Sequence, residues 1–373
     1  MTHISPLTTA STATVSLPGS PEWEVVRIGF NLAVDQRPAA AAMPRDEREV
    51  MSVVRYAAER ELRVAPQRTG HNAAPLGDLS RTLLMRTDRM VGAEIDLVSH
   101  NARVLAGTRW EDVVPAASDV GLAAMHGSTP DVGIVGYSLG GGLGWYARKY
   151  GLAANHVTAI ELVTADGRLR RVDHDHDGDL FWALRGGGGN FGVVTALEFD
   201  LLPIADVYAG ALFFPWERAS EVLHAWHAWT DTVPDEITSV GILQFPPLPA
   251  VPEPLRGNAF AVIEAVYAGP VSDGAEVMAP LHALGPAIDT FATVPPVGIA
   301  ELHMDPRDPI PYAGDHQLLD ALPSSAIDDV VALTGPGSGS PMLSFELRHT
   351  AGALARPAPC PRSPARSARS PSA

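Results

Sequence analysis

Val50, Val53, Val54 and Ala57 recur at helical spacing behind an acidic turn of Asp46, Glu47 and Glu49. Acids there suit the positive end of a helix dipole, so the pattern predicts a helix. The following LRVAP reads as a buried strand and runs into the turn QRTGHNAAP, which holds Gly70 and His71. TLLMRT, GAEIDLV and ARVLAGT run apolar or alternate at strand length and predict one small sheet. TRWEDVVPAASDVGLAA reads as a helix with Thr108 as its N-cap. VTAIELVTADGRLRRV reads as a hairpin turning at Asp166-Gly167. DGDLFWAL opens a helix behind Asp177 or Asp179, breaks at four glycines and resumes as a strand over Val193–Leu202.

The pattern changes around Pro203. Residues 204–356 alternate strands (GALFFPW, ITSVGILQF, AFAVIEAVYAG, MLSFELRHT) with helices such as ERASEVLHAWHAWTDTVP, whose Val222, Leu223, Trp226 and Trp229 share one side. This predicts a second unit with a sheet and covering helices, and an α+β fold class for the chain. Residues 1–20 are polar and aperiodic and read as a flexible leader; Pro21–Arg37 reads as a short helix and an extended segment. Residues 357–373 contain only Pro, Ala, Ser, Arg and the single cysteine, Cys360, and read as a disordered tail. The break suggests a reading frame shifted in GC-rich DNA, with the original C-terminal segment absent.

The 373 residues fit two or three domains at roughly 100–200 residues each. A formal net charge of −16 argues against a nucleic-acid partner. No apolar run is of membrane-spanning length and the N-terminus is no secretory signal, so a cytoplasmic protein without a membrane partner is expected. One cysteine excludes an intrachain disulfide.

The chemistry concentrates in GSTPDVGIVGYSLGGGLGWYARKY, residues 127–150. Clustered glycines let backbone amides approach an anion, and the stretch reads as a phosphate cradle for a cofactor. Three other readings compete. Gly136-Tyr137-Ser138-Leu139-Gly140 matches the G-x-S-x-G nucleophile elbow of a serine esterase, but the glycines after Ser138 make a poor first helical turn. His174, Asp175, His176, Asp177 and Asp179 could hold a metal, yet the spacing also suits a solvated loop, and no metal is expected. Neither GYSLGGGLG nor RGGGGNFG sits between the first strand and helix of a βαβ unit, as a Rossmann fingerprint requires. His71, at a strand end beside Gly70, could present an imidazole to a ligand.

RVAPQRTGHNA, HGSTPDVGIVGYSLGGGLGWYARKYGLAANHV and DLFWALRGGGGNFGVVTALEF, in this order and spacing, resemble the FAD-linked oxidases with the vanillyl-alcohol-oxidase (PCMH-type) FAD-binding domain, and more closely the berberine-bridge-enzyme-like branch. The likeness is continuous over about residues 20–203 and looser to Arg356. It implies a two-subdomain FAD-binding domain over 21–203 and, over 204–356, a substrate domain whose antiparallel sheet roofs the flavin. It implies an FAD-dependent oxidoreductase acting on a small-molecule alcohol, sugar or secondary metabolite by hydride transfer to flavin N5, with O₂ or another acceptor taking the electrons.

By the same resemblance, His71 matches the histidine that carries FAD covalently. Gln67, Arg68, Thr69, Gly70, His71 and Asn72 would form the first pyrophosphate loop. Ser128, Thr129, Asp131, Val132 and Gly133, with Gly136, Tyr137, Gly141 and Gly142, would form the second. Gly192, Val193 and Val194 would meet the adenosine part. Tyr146 and His349 are the candidate catalytic groups. Bicovalent members carry cysteine where this chain has Thr129, so at most one covalent bond is expected. Family members also continue past the LRHTAGALAR segment, and a chain lacking that part is expected to bind FAD poorly or fold incompletely. The alternative reading is therefore a catalytically impaired remnant.

Overall fold

The computed structural model describes residues 14–244 and 258–356. The tail expected over 357–373, and residues 1–13 of the expected leader, lie outside the described residues.

Three sheets carry the fold. The first contains β1 (Val15–Ser16), β2 (Ala40–Ala42), β3 (Arg63–Gln67) and β4 (Thr82–Arg86), in the order β1-β2-β4-β3. β2 and β3 both run parallel to β4, while β1 pairs antiparallel to β2. Val15 and Ser16 are thus paired backbone rather than flexible leader, and Val15 is buried. Helix α1 (Pro21–Val26) is capped by Ser20 and buries Trp23 and Val26. Helix α2 (Glu47–Ala58) starts at Asp46, whose side chain accepts from the Glu49 amide. Its Val50, Val53, Val54 and Ala57 pack with Leu83 and Met85 of β4 and with Val163 and Val193 of the second sheet.

The second sheet is antiparallel, in the order β5-β6-β9-β7-β8: β5 (Ala93–Asp96), β6 (Asn101–Leu105), β7 (Val157–Val163), β8 (Leu169–Asp173) and β9 (Val193–Asp200). The β7–β8 hairpin turns at Asp166-Gly167, with Gly167 at φ +70°. TLLMRT therefore joins a different sheet from GAEIDLV and ARVLAGT, contrary to the single sheet expected. Helices α3 (Val114–Ser118), α4 (Ile134–Leu139) and α5 (Ala147–Tyr150) are short, and α6 is Gly178–Gly187. Residues from α3, α4 and α6 bury Val114, Ala117, Ile134, Leu139, Phe181 and Leu184 in one core with the sheet. Thr108 does not cap the helix after it: its hydroxyl donates to the Gly92 carbonyl and accepts the Gly92 amide.

Pro203 lies between β9 and the third sheet, β13-β10-β12-β11-β15, in which β10 also pairs with β14. Its strands are β10 (Val207–Pro215), β11 (Ile237–Gln244), β12 (Phe260–Tyr267), β13 (Ile288–Asp289), β14 (Ala292–Val294) and β15 (Ser344–Arg348), all antiparallel. One face is covered by α7 (Ala219–Thr230), α8 (Gly274–His282) and α9 (Ser324–Thr334), with Val222, Leu223, Trp226 and Trp229 buried together. The other face packs Val240, Ile242, Val262 and Val266 on Met125, Trp145 and Tyr146. This second contact brings the glycine-rich stretch beneath the third sheet. Among the described residues no helix is long and apolar enough to cross a membrane.

Candidate functional site

β3 ends at Gln67, and the chain turns through Gly70 at φ +81°. A Cβ at Gly70 would stand 2.8 Å from the Gly29 Cα, so only glycine lets the two backbones cross. Gln67 and Gln36 exchange side-chain amide hydrogen bonds of 2.9 and 3.0 Å below the turn. The Phe30 amide donates to the Thr69 carbonyl, and the Phe30 ring stacks on His71 at 3.8 Å and 13°. Arg68 donates from Nε to the Gly107 carbonyl and pairs with Asp88 at 2.9 Å. Asn72 is exposed in the turn.

On the His71 ring, Nδ1 lies 2.8 Å from Thr69 Oγ1. Nε2 is buried without a hydrogen-bond partner, 3.8 Å from Asp131 Oδ1. Burial lowers the His71 pKa, while Asp131 and Asp305 oppose that effect. The GSTPDVG turn therefore faces the RTGH turn. Its Thr129 hydroxyl donates to Asp131 Oδ1 at 2.7 Å, and its Ser128 hydroxyl donates to Asp305 at 2.7 Å. Val132 and Gly133 tie back to residues 108–110: the Trp110 amide donates to the Val132 carbonyl and the Ile134 amide to the Thr108 carbonyl. A Cβ at Gly133 would meet the Arg68 side chain at 2.9 Å, so the two turns touch through a glycine.

The stretch after Gly133 is not a continuous cradle. It winds into α4, with Gly133 at its N-cap and Gly140 at its C-cap. Gly136 is exposed on this helix with open space beside it. Gly141 and Gly142 turn at φ +113° and +76°, and a Cβ at Gly142 would strike Ala153 at 2.6 Å and the Tyr137 ring at 2.7 Å. Gly142 is thus explained by packing alone. Ser138 is buried within α4 with no strand before it, which overturns the nucleophile-elbow reading. The His174–Asp179 cluster is a mostly exposed turn in which Asp173 accepts from the His176 amide and lies 2.8 Å from its ring. Among the described residues no group of three or more His, Cys, Asp or Glu is placed to hold a metal.

Gly192, at the start of β9, leaves no room for a side chain: a Cβ would meet the Val163 carbonyl at 2.6 Å. The buried Val193 and Val194 continue the strand. A cleft of about 270 Å³ lies between β3 and the four-glycine turn, lined by Arg63, Val64, Pro66, Gly189, Asn190 and Gly192.

The layer between the glycine-rich stretch and the third sheet is full of unsatisfied polar atoms. Tyr137 Oη, Trp145 Nε1, Tyr146 Oη, His126 Nε2, Glu264 Oε1 and His349 Nδ1 are all buried without a hydrogen-bond partner. Native interiors keep few such atoms, and a concentration of them marks a place for another group. Burial raises the Tyr146 phenol, Tyr150 adding to it, and burial raises Tyr137 as well. Burial with the nearby Arg148 pushes His349 down to about 4, so its imidazole is neutral at pH 7. His349 borders a small hollow with Ser128, Gly144, Trp145 and Ser239.

The sheet adds a charged cluster that the sequence reading passed over. Glu264, fully buried on β12, lies 2.5 Å from His303 Nδ1, and Glu346 on β15 lies 3.2 Å from His303 Nε2. Burial opposes a charged His303, but the two glutamates outweigh it and hold the imidazole well above its ordinary pKa. Burial would raise Glu346, yet His303 and Arg348 hold it at about 2. From His303 the chain runs as a strap over the RTGH and GSTPDVG turns. Asp305 takes the Ser128 hydroxyl, Arg307 pairs with Glu111, and the Leu32 amide donates to the Ile310 carbonyl. Tyr312 ends the strap, its carbonyl accepting from Asn31 and its hydroxyl donating to the His71 carbonyl.

These features fit a bound dinucleotide. Two glycine-cornered turns face each other, a buried imidazole nitrogen between them lacks a partner, and the layer beside them holds further buried polar atoms without partners.

The family described as "FAD binding domain" matches residues 38–173. The chain is 32% identical over 254 residues to a xylooligosaccharide oxidase of Thermothelomyces thermophilus, covering 61% of this chain and 51% of that protein. It is 37% identical over 166 residues to (R)-6-hydroxynicotine oxidase of Paenarthrobacter nicotinovorans, covering 44% and 36%. The chain thus spans about half or less of these curated relatives. Among solved structures, the xylooligosaccharide oxidase of Myceliophthora thermophila in complex with xylobiose superposes with a TM-score of 0.74 at 25% identity, over 92% of this chain and 76% of that one. Residues 38–173 thus resemble an FAD binding domain, and the chain's relatives are FAD-linked oxidases of the berberine-bridge-enzyme-like, PCMH type.

Proposed function

We propose that this chain is an FAD-linked oxidoreductase that oxidises a small hydroxyl- or amine-bearing molecule, a sugar among them, with FAD attached through His71 and electrons passed to O₂ or another acceptor. The observation that carries this reading is the juxtaposition of the half-buried His71 imidazole, stacked on Phe30, and the GSTPDVG turn that faces it. The sugar and amine options come from the relatives named above.

When bound, the flavin supplies the two-electron acceptor. The protein's part is to hold, orient and handle protons. The turns Gln67–Asn72 and Ser128–Gly133 would hold the pyrophosphate, and the cleft beside Gly192–Val194 would take the adenosine. Tyr137, Trp145 and Tyr146 would offer their unpartnered hydrogen-bonding atoms to a bound ring or substrate. Tyr146, with its pKa raised, keeps its proton and acts as a donor. His349 is neutral at pH 7 and can accept the proton of a substrate hydroxyl or ammonium.

Purified protein should show a flavin spectrum that survives acid precipitation, and the spectrum should bleach anaerobically with sugars or cyclic amines. A folded protein that takes up no FAD overturns the reading.

A further inference from the structure

We propose that Asp131 prepares His71 for bond formation with the flavin, by fixing which imidazole nitrogen carries the proton. This rests on the attachment reading above and assigns a role to a residue of the GSTPDVG turn beyond holding phosphate.

The argument starts from what surrounds the ring. Asp131 is buried, its side chain 8% exposed, and its Oδ1 stands 3.8 Å from His71 Nε2. Thr129 donates its hydroxyl to that same oxygen and keeps it aimed. On the opposite edge, Nδ1 faces the Thr69 hydroxyl at 2.8 Å. A hydroxyl can donate or accept, whereas a carboxylate only accepts. A lone pair on Nε2 would face a carboxylate oxygen and be repelled, while a proton on Nε2 is attracted. Asp131 therefore selects the Nε2–H tautomer and leaves the lone pair on Nδ1. Phe30 fixes the ring plane from one face, and Gly70 and Tyr312 fix the backbone beneath it. A nucleophilic atom whose ring is oriented by a third group is the arrangement used wherever a side chain must attack carbon.

The step balances as follows. The flavin 8α-methyl carbon loses one proton to water, and the Nδ1 lone pair, released by the Thr69 hydroxyl, forms the new N–C bond. Two electrons pass into the flavin ring, and the Nε2 proton passes to Asp131, which removes the charge left on the imidazole. Dioxygen then takes the two electrons and two protons as hydrogen peroxide, leaving oxidised, attached flavin. One C–H and one N–H bond are lost, one C–N bond is gained, and one O₂ becomes one H₂O₂.

The charged and titratable groups facing His71 are Asp131 and Asp305, with the Tyr312 phenol on its carbonyl. Both aspartates favour the protonated imidazole. Removing one of them should move the loss of that proton to lower pH.

The test uses the full-length apoprotein incubated with FAD in air. Flavin fluorescence of acid-precipitated protein reports attachment, and total bound FAD is measured on the same samples. Asp131→Asn should slow attachment at least tenfold per bound FAD, total bound FAD serving as the reference for each variant, and shift the pH profile of attachment downward; Asp131→Glu should recover part of the rate. Attachment by Asp131→Asn at the wild-type rate and pH profile, with His71→Ala releasing all its flavin, overturns the role of Asp131 and leaves attachment at His71 standing. A wild-type protein that binds FAD but releases all of it in acid overturns both. Should Asp131→Asn fail to fold, Thr129→Val removes only the hydroxyl that aims the carboxylate. It should slow attachment several-fold, and an unchanged rate overturns the proposal.

Discussion

The His71 imidazole lies flat on the Phe30 ring, centroids 3.8 Å apart and planes 13° from parallel. The contact exists because two backbones cross at glycine, Gly29 beneath Gly70. Gly70→Ala would place a methyl group 2.8 Å from the Gly29 Cα and force a side chain into φ +81°. We expect a loss of about 2–3 kcal/mol in stability, read as a lowered urea midpoint. The Phe30–His71 stack should open as well, so covalent flavin should fall with it.

By the family resemblance Thr129 stands where bicovalent members carry cysteine, and it lies in the turn that faces His71. In a His71→Ala background, Thr129→Cys should restore flavin that resists acid precipitation, detected as an added mass on the intact protein. The single variant Thr129→Cys should carry flavin through two bonds. Complete release of flavin from His71→Ala/Thr129→Cys would show that residue 129 does not reach the ring.

His303 sits between Glu264 and Glu346 in the sheet that faces the cofactor turns. His303→Leu leaves Glu264 buried with no cation, and losing one partner of a buried pair costs about 3–5 kcal/mol. The double variant Glu264→Leu/His303→Leu removes the orphan and should recover most of that loss. A double-mutant cycle by denaturant melts checks the coupling.

His126 is fully buried, faces the Tyr146 ring edge-on, and donates from Nδ1 to the Gly127 carbonyl. Burial pushes its pKa down to about 4. The unfolded chain therefore takes up the proton first as pH falls below about 6.5, and stability is lost between there and about 4. The loss from His126 alone should be about 2 kcal/mol at pH 5 relative to pH 7.5. His349 acts in the same direction. Urea midpoints at the two pH values should differ, and His126→Gln should flatten the difference.

Much of the framework was readable from the chain because its signals are local. The α2 stripe, the β7–β8 turn and the helix carrying Trp226 and Trp229 each depend on residues within a few positions of one another. Three features escaped for three physical reasons. TLLMRT and ARVLAGT look alike as strands, and their partners, β3 and β9, are set by packing distant in sequence. GIVGYSL carries too much glycine to suggest a helix, but Gly133 at its start and the Ile134 amide bond to Thr108 hold one in place. The third is the Glu264–His303 pair. Glu264 did leave a signal, one acid inside the apolar run AFAVIEAVYAG on the same face as Val262 and Val266, but His303 lies far along the chain in a segment with no periodicity.

The strap from His303 to Tyr312 has a thermodynamic consequence. It is anchored in the third sheet at one end and holds the Ser128 hydroxyl, Asn31 and the His71 carbonyl along the rest. The two halves of the molecule therefore share their free energy: a ligand that tightens the His71 turn raises the melting temperature of the sheet, and one seated on the sheet quiets the turn. Heat should unfold them in a single calorimetric peak, and cutting the strap's hold with Asp305→Ala and Tyr312→Phe should split that peak in two.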